Sequence, residues 1–435
     1  MRQRLERYFE FDRLGTNWKT EIMAGATTFV TMAYIIFVNP SILHDAGMPF
    51  KAVVAATCFC AAFASILMGV LARYPIALAP GMGLNAYFTY TVVKGMGIPW
   101  QAALGAVFLS GVAFLILTLL GVRQLIVEAI PGELYAAIAG GIGLFIATIG
   151  LRNAGIIMPN SATMVALGNL GDKHALLAIS GLVLIAALLA RRVPGAMLIG
   201  ILATALAGAA FGLVTLTPDR YRISDIAGTA GKLDIRGALS YGFIEIVFVF
   251  LFVDMFDNVG TLVGVGKKAG LFDASNRIPR IRRILMADAT ATIAGSLAGT
   301  STVVSYIESA AGVVAGGRSG VTAIVTGLLF AFALFVAPMI GAVPTAATAP
   351  ALIVVGSLMM TQIGEIPWKD PASAIPAFLT LVMIPLTFSI ANGLAFGFVA
   401  YALLRLLRGE FRRTHWLVYL LAALFIARFL YLARV

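Results

Sequence analysis

The sequence predicts an all-α polytopic membrane protein of about fourteen transmembrane spans in a 7+7 inverted repeat. Composition, the spacing of apolar windows, and two interrupted windows at matching places in the two halves support this. Of 435 residues, 60% are hydrophobic and 12% charged, too little polar surface for a soluble domain of this length. A run of about 20 apolar residues crosses the hydrocarbon core of a bilayer. Such windows fall near 22–43, 51–72, 76–94, 101–121, 133–151, 174–191 and 194–216 in the first half. The second half repeats them near 239–265, 283–299, 301–316, 320–340, 345–361, 373–390 and 391–408. A last apolar piece, Trp416 to Tyr431, is interrupted by Arg428, and the sequence leaves open whether it spans or lies on the surface.

The polar segment 1–21 is too long before the first apolar run for a cleavable signal peptide and reads as a cytoplasmic amphipathic lead-in. Alternating from there, the inner loops hold Arg73, Arg123, Arg191, Arg192, the basic run from Lys267 to Arg283, Arg318, Lys369 and Arg405 to Arg413. The outer loops hold mainly Lys51, Lys94, Arg152, Lys173 and the 217–237 connection. This asymmetry follows the positive-inside rule; the expected location is the cytoplasmic (inner) membrane, with the lipid bilayer around the chain. It also accounts for the net charge of +11 without a nucleic-acid partner, since the Lys and Arg form no single stripe.

Span 3 opens with Ala79-Pro80-Gly81-Met82-Gly83-Leu84-Asn85, and span 10 with Gly299-Thr300-Ser301-Thr302-Val303-Val304-Ser305-Tyr306. Both are short and interrupted by helix breakers or β-favouring residues, and each is third in its half. Paired interrupted helices mark a midplane binding site in inverted-repeat transporters. Non-helical backbone at that depth is tolerated only where protein or substrate satisfies its amides.

Acidic residues inside spans are the candidate chemistry. Asp254, Asp257, Asn258 and Thr261 follow i, i+3, i+4, i+7 spacing, one polar stripe on span 8. Span 9 adds Asp288 and span 10 adds Glu308, while Glu245 faces away from the stripe. Charge at bilayer depth costs several kcal/mol on any scale, so such residues usually face a cavity or pathway. Carboxylates accept from the N–H groups of a flat heterocycle, and Phe29, Tyr87 or Tyr306 are candidates to stack on its ring. A carboxylate that exchanges a proton would couple proton entry to substrate entry.

Other chemistries find little support. Cys58 and Cys60 point to nearly opposite faces of one helix, and His44, His174 and His415 lack metal-like or triad-like spacing, so neither a metal nor an enzyme is expected. Gly140-Gly141-Ile142-Gly143 has no preceding strand and reads as a close-packing surface, not a phosphate loop. An anion transporter of the same fold is the second reading, disfavoured by the acidic site; an intramembrane enzyme is the third.

The strings 27–40 (TTFVTMAYIIFVNP), 79–93 (APGMGLNAYFTYTVV), 252–265 (FVDMFDNVGTLVGV) and 299–323 (GTSTVVSYIESAAGVVAGGRSGVTA) resemble the azaguanine-type hypoxanthine/guanine/adenine permeases, a branch of the nucleobase:cation symporters. The likeness runs along nearly the whole chain and departs from the family pattern at Ser319, where Thr is usual. The resemblance implies a uracil-permease-like fold. A core (22–121 and 238–340) holds the base, a gate (122–237 and 341–413) moves against it in elevator fashion, and 414–435 is an added apolar helix. It implies proton symport of a purine base with no cofactor beyond the proton gradient. Asp254, Glu308, Asn85, Thr302 and Phe29 are then expected at the substrate, with Asp257 and Asp288 in proton coupling or site organisation. A homodimer is allowed for. Adenine carriers and guanine/hypoxanthine carriers share these motifs, and the sequence does not choose between them.

Overall fold

The computed structural model describes residues 2–121, 130–213, 222–240, 243–269, 278–336 and 343–432, and the chain is mostly helical. Seven described helices are long and apolar enough to cross a bilayer: Trp18–His44, Phe50–Leu71, Trp100–Leu119, Gly132–Asn153, Lys173–Ala190, Thr345–Glu365 and Ile390–Leu407. Shorter apolar helices lie at Ala196–Ala210, Gly320–Phe335, Pro371–Leu386 and Trp416–Leu430. The side chains needed to start helices are in place. Asn17, Asp172, Asp370 and Ser389 each accept a backbone N–H from the first turn that follows, satisfying amides that would otherwise lack partners.

Two short strands organise the centre. β1 (Leu78–Pro80) and β2 (Val303–Ser305) are fully buried and pair antiparallel, Leu78 opposite Ser305 and Pro80 opposite Val303. β1 leads into a short helix, Met82–Ala86, continued as a π-helix over Tyr87–Gly95; β2 leads into Ser309–Val314. The segments that sequence marked as interrupted therefore satisfy one another's backbone. Gly81 N–H bonds Thr302 O at 2.9 Å, Tyr306 N–H bonds Ala77 O at 3.0 Å, and the Tyr306 hydroxyl donates to Pro80 O at 2.5 Å. Outside the centre, Ile157–Asn160 and Met164–Leu167 form a separate hairpin in the connection before Lys173–Ala190.

Glycines bring neighbouring helices into backbone contact. A Cβ at Gly143, on Gly132–Asn153, would stand 2.7 Å from Gly356 O on Thr345–Met359. Gly140 receives Ile363 and Gly141 receives Ile384, so the glycine run is a packing surface.

Contacts at the ends join loops that alternation puts on one side. Glu10 in the N-terminal segment bonds Arg73 at 3.4 Å and Arg280 at 3.1 Å, and the Arg282 guanidinium donates to Leu119 O. At the other end the Tyr90 hydroxyl donates to Asp45, and Asp234 N–H bonds Gln101 O. The helix Trp416–Leu432 runs antiparallel along Ile390–Leu407: Phe425 packs on Phe398, Phe429 on Phe396, and Arg428 donates to Asn392 Oδ1 at 3.2 Å. Cys58 and Cys60 are buried and free.

Candidate substrate site

A cavity of about 370 Å³ opens beside the β1–β2 pair, within the size range of small-molecule sites. Tyr34, Met82, Gly83, Thr261 and Val304 to Glu308 form one wall; Ile138, Ala139, Ile142, Val355, Leu358, Met359, Thr361 and Gln362 form the other. The first wall is polar. Glu308 sits where β2 turns into Ser309–Val314, and its Oε1 accepts from the Tyr34 hydroxyl at 2.6 Å. Tyr34 stands at the break between Trp18–Met32 and Ile35–His44, which turns the tyrosine toward Glu308. Ser305 Oγ is buried on the same wall with no partner among the described residues, an uncommon state for a buried hydroxyl.

Behind this wall lies a second polar layer. Asn258, fully buried on Phe243–Ala269, donates through Nδ2 to Asp288 Oδ1 at 2.5 Å and to Asp254 Oδ1 at 3.4 Å. Its Oδ1 accepts Ser305 N–H at 2.9 Å. One amide thus ties two buried carboxylates to the strand that carries the cavity wall. Asn85 forms a parallel link: it donates to Asn39 Oδ1 and accepts from Ser301 Oγ, while Asn39 donates to Thr57 and Thr300.

The expected site residues therefore fall into three groups. Glu308 lines the cavity, as does Tyr306, weighed in sequence as a stacking ring. Asp254, Asp288 and Asn85 are buried one layer back, so the structure does not bring Asp254 and Glu308 onto one cavity surface. Asp254 faces Asn258, its neighbour one turn along the helix. Thr302 and Phe29 lie off the wall: Thr302 O closes the strand pairing with Gly81 N–H, and the Phe29 ring packs edge-on against Phe330 at 5.1 Å. Asp257 lies on the same helix, with its side chain outside the described residues. Sequence reasoning missed Tyr34 and Gln362 and assigned no role to Asn258, though the i+4 spacing from Asp254 was its available signal. Among the described residues no cluster of His, Cys, Asp and Glu is suited to hold a metal.

A helical membrane chain with paired broken helices around a central, acid-bearing cavity has the build of a membrane transport protein. A model of the xanthine/uracil-type "Permease family" matches residues 19–396, and the chain belongs to that family, a family of transporters and not of enzymes. A Methanocaldococcus jannaschii protein named as a permease is 53% identical over 99% of both chains. The adenine permease AdeP of Escherichia coli is 44% identical over 98% of this chain and 96% of its own. The guanine/hypoxanthine permease PbuG of Bacillus subtilis is 45% identical over 98% of this chain and 100% of its own. Among solved structures, the transmembrane domain of the cyanobacterial bicarbonate transporter BicA superposes with a TM-score of 0.67 at 14% identity, covering 88% of this chain and 97% of that one, a likeness of fold alone. The protein is a multi-pass membrane protein, which in bacteria places it in the cytoplasmic membrane.

Proposed function

We propose that this protein imports purine nucleobases by proton symport, with fourteen crossings in two inverted sevens and a core that moves against a gate. The carrying observation is that Glu308, held by Tyr34, faces a base-sized cavity whose walls come from different parts of the chain. The polar wall comes from spans 1, 3, 8 and 10, the apolar wall from spans 5 and 12, which is the division between core and gate expected from the sequence. The antiparallel β1–β2 pair supports the inverted repeat, and the end contacts of Glu10, Arg282, Tyr90 and Asp234 support the alternation. Relatives named as adenine and guanine/hypoxanthine permeases support the substrate class. Glu308 accepts an N–H of the base, Tyr306 offers it a ring face, Asn258 holds the wall, and the carboxyl groups of Asp254 and Asp288 take part in proton coupling. An anion is disfavoured because the charged side chain on the described wall is a carboxylate.

The test is uptake of labelled adenine and hypoxanthine in a host lacking its own purine carriers, with and without a protonophore. Uptake that collapses with the proton gradient, and is lost in Glu308→Gln and Asp254→Asn variants that still insert, is the expected result. Uptake driven by sodium and indifferent to the protonophore overturns the coupling, and normal transport by either variant removes that residue from the site.

A further inference from the structure

We infer that Gln362 is the side chain through which the second cavity wall reads the substrate edge; this rests on the purine-carrier reading above. That wall is otherwise Ile138, Ala139, Ile142, Val355, Leu358 and Met359, plus Thr361, whose hydroxyl is committed to Leu358 O at 2.8 Å. Gln362 is half-buried and lines the cavity, and its side chain makes no hydrogen bond among the described residues. Its backbone is well placed for the task. It stands in the 3₁₀ turn Met360–Glu365, which extends Thr345–Met359, and the next residue, Ile363, packs into the notch at Gly140. The same cavity is lined by Glu308, with one oxygen taken by Tyr34, and by Ser305, whose hydroxyl has no partner among the described residues.

The chemistry of these groups defines the ligand. A carboxylate only accepts, so Glu308 selects an edge with an N–H. A carboxamide both donates and accepts, so Gln362 pairs with an edge carrying a donor beside an acceptor, and it reverses the pairing by rotating about its last bond. An amino-substituted ring edge (N–H beside a ring nitrogen) and an oxo-substituted edge (C=O beside a ring N–H) are both read this way. The site therefore takes amino-purines and oxo-purines alike.

Uptake kinetics of Gln362→Met and Gln362→Glu, beside the intact protein, test this. Gln362→Met keeps length and loses both hydrogen-bonding functions; the expected result is a KM raised about tenfold for adenine and hypoxanthine alike. Gln362→Glu, ionised, still accepts the N–H that either edge carries but repels the acceptor beside it; the expected result is a KM raised about tenfold or more for both bases. A wild-type KM for either base in an inserted variant overturns the inference, and Gln362→Glu decides alone where Gln362→Met does not insert. Absence of purine uptake by the intact protein overturns the purine-carrier reading and takes this inference with it.

A separate observation carries a second inference: the geometry points to Trp416–Leu432 as a further crossing of the bilayer. Its contacts pair residues 425 with 398, 429 with 396 and 428 with 392, an antiparallel register kept along the partner helix. At 1.5 Å per residue the two helices, of 17 and 18 residues, have matching lengths of about 26 Å. The last turn of Trp416–Leu432 thus lies level with the first turn of Ile390–Leu407, far from the basic 405–413 loop. Arg428, which made this segment ambiguous in sequence, sits at that far end with Asn392 as its partner. The test is labelling of intact cells with a membrane-impermeant maleimide, using Arg413→Cys and, separately, a cysteine appended after Val435. Labelling from opposite sides is expected, the appended cysteine from outside; labelling of both from one side overturns the crossing. Opposite sides with Arg413→Cys outermost leaves the crossing intact and defeats the fourteen-span alternation instead.

Discussion

Asn258 and Asp288, thirty residues apart in sequence, meet through a hydrogen bond of 2.5 Å at the buried centre of the protein. The bond fixes Phe243–Ala269 against Ile281–Ala298, and the same amide holds β2 through Ser305 N–H. Replacing Asn258 with Leu removes one hydrogen bond from each of two buried carboxylates and leaves the Ser305 N–H without its acceptor. Each buried group left without its partner costs about 1–3 kcal/mol, so a lowered melting temperature in detergent and loss of uptake are expected. Unchanged melting would show that the amide is dispensable.

Tyr34→Phe removes one oxygen and leaves the ring. Glu308 then keeps its carboxyl group but loses the donor that orients it, and a KM increase of up to about tenfold is expected, the effect of one hydrogen bond. Glu308→Gln goes further and is expected to abolish uptake. Saturation kinetics on the two variants separate orientation from charge: equal losses would mean that Tyr34 does more than orient.

Glu21 explains a motif that sequence could quote but not interpret. It is fully buried, and its carboxylate accepts Arg318 N–H at 3.0 Å, Ser319 N–H at 3.1 Å and the Thr322 hydroxyl at 2.6 Å, at the N-terminal end of Gly320–Val336. An anion there meets unpaired amides and the positive end of the helix dipole. The departure at Ser319 is harmless on this geometry, because its Oγ accepts Val321 N–H, a role open to either hydroxyl residue. Glu21→Ala leaves these amides and the Thr322 hydroxyl without their acceptor and is expected to cost about 1–3 kcal/mol, and Glu21→Gln less. Thermal melting of the two variants checks the order.

Much of this was legible in the chain. Apolar windows located the helices because lipid removes water as a backbone partner, which makes helix length a direct readout of bilayer depth. The breaks at Pro80-Gly81 and Gly299 marked the strands. Pairwise geometry was not legible. No local pattern announces that Tyr34 reaches Glu308 across 274 residues of chain, or that Asn258 stands between two acids. Phe29 was a plausible stacking ring by type alone, and the aromatic partner that absorbs it, Phe330, is visible only in the fold.

The glycine contact between Gly132–Asn153 and Thr345–Met359 makes a sharper demand. A Cβ on Gly143 would stand 2.7 Å from both Gly356 O and Met359 Cβ, closer than real contacts allow. Gly143→Ala therefore has to part the two helices that carry Ile138, Ile142, Val355 and Gln362 on the cavity wall. The expected outcome is destabilisation of about 1–3 kcal/mol, typical of overpacking, with a raised KM. Gly132→Ala, on the same helix with open space around it, should leave both unchanged.

The ion network at the ends of Gly132–Asn153, Pro371–Leu386 and Ile390–Leu407 provides a pH test. Burial opposes the charge on Asp370, but the Arg408 guanidinium at 2.7 Å and Ala372 N–H outweigh it and hold its carboxyl below the usual carboxylate value. Arg405 bonds Glu410 and reaches Glu133, so the ends of Gly132–Asn153, Pro371–Leu386 and Ile390–Leu407 share one ion network. A carboxylate with a depressed folded pKa binds fewer protons folded than unfolded, and its contribution to stability is complete above the unfolded value near about 4. It is lost as pH falls through the lower folded value. The melting temperature of the intact protein is therefore expected to drop more steeply below about pH 4 than that of Asp370→Asn, since the variant has no proton to take up there. Parallel curves for the two proteins would mean that the Asp370–Arg408 pair contributes nothing to holding these helix ends together.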